Sequence, residues 1–117
     1  MALADRTQDL VVPYSIDNTF EALKKALPPL SEYKLKVDGF DENTKTAYIT
    51  AGISWLSWGE DITVSLDQAQ TGGTAVSILS SPKTGVLFGG AMDFGKNREN
   101  IELIIDALSA ELDNYKK

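Results

Sequence analysis

The 117-residue chain contains neither cysteine nor histidine. That double absence removes a disulfide framework, a zinc site of the usual ligands, the Ser-His-Asp and Cys-His nucleophile systems, and an imidazole that titrates near neutral pH. Any catalysis would have to rest on carboxylates, lysines, tyrosines or a borrowed cofactor, and we expect a non-enzymatic protein with no cofactor and no metal. Positive charge is also scarce. Eleven Lys and Arg against seventeen Asp and Glu leave a net charge of −6 and a pI of about 4.5, and the basic residues are scattered or paired. A nucleic acid would gain little counterion release from such a surface, so none is expected as a partner. No stretch approaches the roughly 20 apolar residues of a spanning helix, and Met1–Arg6 carries no long apolar run. A cytoplasmic location is the expectation.

What is present reads as an ordinary globular domain: 43% hydrophobic and 24% charged residues, without repeats or low-complexity tracts. The length is sufficient for a core that needs no cross-link. We expect a single α+β domain over residues 1–117, with 1–6 and 116–117 disordered.

The apolar periodicity predicts the elements. Leu10, Val12 and Tyr14 share one parity and predict a strand over Gln8–Tyr14, near an edge or strand end because of Pro13. Ser15 or Asp17 caps a helix whose stripe is Ile16, Phe20, Leu23, Leu27 and Leu30, stopped by Pro28-Pro29. Tyr33, Leu35 and Val37 predict a half-wet strand, followed by a turn at Asp41–Thr44. The next strand turns Ala47, Ile49, Ala51 and Ile53 inward, and another does the same with Trp58, Ile62, Val64 and Leu66. A hairpin at Gln70–Gly73 leads to a last strand with Val76 and Ile78 inward. A glycine-rich stretch, Gly85 to Asn97, then opens a long one-sided helix from about Arg98 to Tyr115, with Ile101, Ile104, Ile105, Leu108 and Leu112 on its stripe. The order β-α-β-β-β-β-α with short turns implies a two-layer α+β sandwich: a curved antiparallel sheet with both helices on one face.

This order resembles the repeat of the TATA-box-binding protein and, more loosely, the helix-grip domains. The latter likeness implies an apolar ligand held between a long C-terminal helix and a curved sheet. Ser57-Trp58-Gly59-Glu60 and Asp93-Phe94-Gly95-Lys96-Asn97 are similar to segments of small uncharacterised bacterial proteins, which implies no activity. The DNA-binding use of the first fold requires a basic concave surface, and this chain is acidic.

Several residues are candidates for a site. Gly90–Asn97 is one residue short of a phosphate-binding loop, with Asn97 where a magnesium-holding hydroxyl belongs. The antiparallel pattern leaves no room for the parallel sheet and second acidic strand of a nucleotide hydrolase, so its glycines are read as a flexible turn. In a weaker version the first N–H groups of the last helix, with Lys96 and Arg98, would bind an anionic headgroup or phosphate. Glu60 shares the parity of Ile62 and Val64, and so faces the helix-covered side, where an unpaired carboxylate is costly. It is read either as a ligand-orienting group, or as a residue turned outward by a bulge at Gly59 or paired with Lys96 or Arg98. Trp55 and Trp58 could form an apolar rim opposite Phe88, Met92 and Phe94, or close the ends of a small core. Glu60 and Asp93 would be the carboxylate pair of an enzyme.

Two functions follow. One is a binding domain for a small apolar or amphipathic ligand, using Trp55, Trp58, Glu60, Phe88, Met92, Phe94 and Lys96. The alternative is a protein-interaction module or oligomer subunit that uses the aromatic loop 54–58 and the glycine-rich loop 85–95.

Overall fold

The computed structural model describes residues 6–51, 60–82 and 90–115. Its elements are β1 (Arg6–Val12), α1 (Ile16–Ala26), a 3₁₀ turn (Pro28–Tyr33), β2 (Leu35–Asp41), β3 (Thr46–Ala51), β4 (Glu60–Gln68), β5 (Thr74–Pro82) and α2 (Gly90–Leu112). Arg6, expected to lie in a disordered end, is the first residue of β1 and pairs with Ser80. The five strands form one sheet in the order β1-β5-β4-β3-β2, and every pairing is antiparallel.

One face of this sheet carries the core. Ala47, Ile49 and Ala51 of β3, Ile62, Val64 and Leu66 of β4, and Val76 and Ile78 of β5 are buried in one cluster with Phe20 and Leu23 of α1 and Ile101, Ile104, Leu108 and Leu112 of α2. Both helices therefore lie on the same side. The alternate strand residues face away from them: Tyr48, Leu79 and Val11 remain 45%, 41% and 57% exposed.

The Ser15 hydroxyl starts α1 by accepting the Asn18 N–H at 3.1 Å, and Asp17 in the first turn with Lys24 and Lys25 in the last suits the helix dipole. The stripe buries Phe20 edge-on against Phe40, with ring centroids 6.0 Å apart. Lys24 and Lys45 each stand 5.1 Å from the Phe20 ring centre. Lys24 also reaches Glu21 at 2.8 Å and Glu42 at 3.0 Å, clipping the β2–β3 turn onto α1. Hydrogen bonds to these two carboxylates hold the Lys24 ammonium above its ordinary pKa, and the bond from Lys24 holds Glu21 below its own. Exposed pairs of this kind add little stability.

Three boundaries differ from the sequence expectation. Pro28 and Pro29 end α1, but they also occupy the first positions of a 3₁₀ turn. Leu30 stays buried through that turn, and Tyr33 lies in it, 56% exposed, rather than on the strand. Lys34, at φ 67°, ends the turn, and β2 begins at Leu35. β1 likewise ends at Val12, ahead of Pro13. The largest correction is α2, which begins at Gly90 and not near Arg98. Gly90 and Gly95 each cost about 1 kcal/mol in a helix, yet Ala91, Met92, Lys96 and Arg98 favour it. Extending a helix already nucleated by the Ile101–Leu112 stripe needs no second nucleus.

At the β4–β5 hairpin Gly72 and Gly73 both have positive φ, 88° and 81°. Gly73 is the tighter position, because a β-carbon there would collide with the Val12 carbonyl oxygen, whereas Gly72 faces open space. Gly72→Ala should therefore cost about 1 kcal/mol of backbone strain and Gly73→Ala at least about 2 kcal/mol. Urea denaturation of the two variants checks the order; equal losses would contradict it.

Candidate functional site

The buried apolar face of the sheet has a polar group at each end. At one end Thr74, fully buried at the start of β5, donates to the Tyr14 carbonyl at 2.7 Å and lies 3.4 Å from the Thr19 hydroxyl of α1. Thr19 in turn donates to the Ser15 carbonyl at 2.7 Å. This closes the core where β1 passes into α1.

At the other end stands Glu60, the first residue of β4, 1% exposed. Its parity places it on the helix-covered face, as the alternation predicts; it is not turned outward. The Ser80 hydroxyl of β5 donates to one carboxyl oxygen at 3.3 Å, and the Asn100 side-chain amide of α2 donates to the other. Ser80 is fully buried and Asn100 is 6% exposed. Glu60 is thus a bridge between two strands and the long helix, and burying it is tolerable because both of its oxygens accept hydrogen bonds.

The chain path gives this end its character. Ala51, Glu60 and Pro82 lie side by side on the last described rung of β3, β4 and β5. Residues 52–59 leave from Ala51 and return at Glu60, and residues 83–89 leave from Pro82 and lead to Gly90. Both aromatic or glycine-rich connections singled out in the sequence therefore start at the Glu60 rung. α2 crosses the sheet from there to the opposite end, where Leu112 lies beside Val12 and Tyr14. Asn100 is the eleventh of its 23 residues, so Gly90–Glu99, about 15 Å of helix, precedes the residue that meets Glu60.

Of the predicted site residues, Trp55, Trp58 and Phe88 lie outside the described residues. Met92, Phe94 and Lys96 belong to α2. Because that helix begins at Gly90, Lys96 and Arg98 sit well past its first turn, and the expected anion site made of them and the first helical N–H groups does not form as drawn. The same helix replaces the loop on which the phosphate-binding likeness depended, and the all-antiparallel sheet removes its remaining support. Asp93 lies on α2 seven residues ahead of Asn100. Among the described residues no group of three or more acidic side chains could hold a metal ion, and no helix is long and apolar enough to cross a membrane.

Sequence reasoning missed Asn100 and Ser80. Asn100 directly precedes Ile101 of the apolar stripe, and Ser80 continues the inward parity of Val76 and Ile78. Both signals were legible as polar residues at core positions.

No protein-family model matches the chain, and no curated protein matches it. Solved structures do. The crystal structure of Ara h 8.0201 is 13% identical with a TM-score of 0.62, over 93% of this chain and 97% of that one. Protein MLL2253 from Mesorhizobium loti is 14% identical with a TM-score of 0.66, over 97% and 99%. The di-domain ARO/CYC BexL from the BE-7585A biosynthetic pathway is 12% identical with a TM-score of 0.62, over 93% of this chain and 46% of that one. At these identities the likeness is one of fold: a small α+β, helix-grip-like architecture.

Replacing Asn100 by Leu removes its hydrogen bond to the buried Glu60 carboxyl, and should lower stability by about 1–3 kcal/mol. Equilibrium urea unfolding measures it, and an unchanged midpoint would mean the bridge does not hold α2 to the sheet.

Proposed function

We propose that this chain is a non-enzymatic binding protein that receives a small apolar or amphipathic ligand between α2 and the sheet, at the Glu60 end. The observation that carries the reading is the course of α2. The helix is fastened to the sheet by Asn100 and Glu60, on the rung from which both long connections leave, and ten of its residues precede that bridge. A concave apolar site with a few polar groups is what such ligands need, and loops set on a rigid scaffold are where binding concentrates. The helix-grip-like fold supports the same reading, because domains of that kind hold apolar ligands between the C-terminal helix and the sheet. Trp55, Trp58 and Phe88, with Met92, Phe94 and Lys96 of α2, are proposed as the rim, and Glu60 as the polar group at the inner end. The reading calls for no cofactor or metal. It calls for no nucleic acid either, since the chain is acidic; the TATA-box-binding-protein likeness is kept as a proposal about element order alone.

A second reading, an interaction module or oligomer subunit, draws on the helix-free face of the sheet. Val11, Tyr48 and Leu79 are exposed there, beside a shallow depression of about 440 Å³ between Asp9, Ser65, Asp67 and Ser77, and β1 offers an open edge.

Nile red titrated into the isotope-labelled protein distinguishes the two. The first reading expects a saturable fluorescence rise in a monomer, with amide shifts confined to residues 55–60 and 85–100. Absence of a saturable change, together with self-association in sedimentation, would replace it with the second.

A further inference from the structure

The two edges of the sheet are not alike. β2 is blunted as an edge: its register shifts between Val37 and Gly39, and Lys36 and Asp38 stand exposed along it. β1 is plain. Its seven residues pair with β5 without a break, and no described strand pairs with its other side. Between Thr7 and Val12 the one charged residue is Asp9, exposed on the helix-free face and engaged by no ion pair among the described residues. Beside it the face is hollow. The outward residues of β5 shrink from Leu79 to Ser77 and Ala75, leaving the depression of about 440 Å³ walled by Asp9 and Val11 of β1 and by Ser65 and Asp67 of β4. Because β4 lies two strands from β1, about 10 Å across the sheet, a carboxylate stands on either side of this trough.

We propose that β1 docks an extended segment of another protein as a sixth strand, and that this segment alternates apolar residues with a lysine or arginine set opposite Asp9. The inference rests on the second reading above and names its partner. Main-chain hydrogen bonds along an open edge supply affinity whatever the sequence, and side chains supply the choice. On the helix-free face an added strand meets Thr7, Asp9 and Val11. Val11, 57% exposed, gains an apolar neighbour, and the long stem of a lysine or arginine crosses β1 into the trough, with its charge between Asp9 and Asp67. The same aspartate turns away a second copy of the chain. Asp9 is the midpoint of Arg6–Val12, so the two-fold pairing that uses the whole strand sets Asp9 against Asp9, between chains that each carry −6.

Two acetylated, amidated heptapeptides test it: Thr-Val-Thr-Lys-Thr-Val-Thr, which puts valine, lysine and valine on one face, and the same peptide with glutamate for lysine. Each is titrated at pH 7 and low salt into the full chain labelled with nitrogen-15, and the backbone amides are followed. The lysine peptide should shift β1 and the trough residues of β4 and β5, and bind about fivefold more tightly than the glutamate peptide. Asp9→Lys should reverse that order. Asp106→Lys, which changes the net charge equally from α2, should keep it; both aspartates are exposed, so neither substitution disturbs the core. Equal binding of the two peptides on β1, or an order that Asp106→Lys reverses as fully as Asp9→Lys, overturns the charge assignment and leaves the interaction module standing. Shifts on β1 that follow protein concentration alone, with a dimer in sedimentation, replace the basic partner by a second copy. A monomer in which neither peptide moves any resonance overturns the partner, and with it the second reading's use of this face.

Discussion

An antiparallel sheet that buries only one face obliges every strand to keep its register, and the rest of this molecule depends on that constraint. Side chains alternate faces along a strand, so a slip of one residue would carry Ile62, Val64 and Leu66 into water and bring Asp61, Thr63 and Ser65 under the helices. The register is pinned at the turns. Asp41 accepts the N–H groups of Asn43 and Thr44, Lys45 takes the left-handed conformation after them, and Gly73 fits against the Val12 carbonyl where no side chain could. With these fixed, α1 and α2 meet a continuous apolar surface running from Ala47 to Ile78.

The same constraint explains why the buried polar groups sit where they do. β5 carries two of them: Thr74 at its start and Ser80 near its end are fully buried, separated by Val76 and Ile78. At the Thr74 end β1 turns into α1 through Pro13, Tyr14 and Ser15, and Thr19 folds back over Thr74, beside a depression of about 180 Å³ lined by Val12, Pro13, Tyr14, Ser109, Leu112 and Asp113. The Ser80 end is built differently. There Glu60 and Asn100 join sheet to helix, and the chain departs into two longer connections. One end of the core is closed by hydrogen-bonded threonines and the other leads into the two connections, and the proposed binding site is placed by that asymmetry rather than by any catalytic group.

Much of this was legible in the sequence. Ile16–Leu23, Ala47–Ala51, Ile62–Leu66 and Ile101–Leu112 each carry one period without interruption, and a single period places residues on one face whatever their neighbours do. Glu60 could be placed by the same argument. Tyr33 could not, since its alternation with Leu35 and Val37 reads as strand until the two prolines are seen to start a 3₁₀ turn. Nor could the start of α2: Gly90 and Gly95 signal a loop locally, and only a nucleated helix overrides them.

Sequence alone determined the chemistry this protein lacks, through the missing histidine and cysteine, and the face on which each strand residue lies, because alternation is a local property of the backbone. Tertiary structure decided which polar residues meet. Glu60, Ser80 and Asn100 are separated by 20 and 40 positions, and their union depends on strand order and on how far α2 extends, neither of which any local pattern encodes. It also decided that α2 begins at Gly90, ten residues ahead of its bridge to the sheet. The length of a helix is set by propagation and packing against the whole fold, and these act over distances that a short window of residues does not contain.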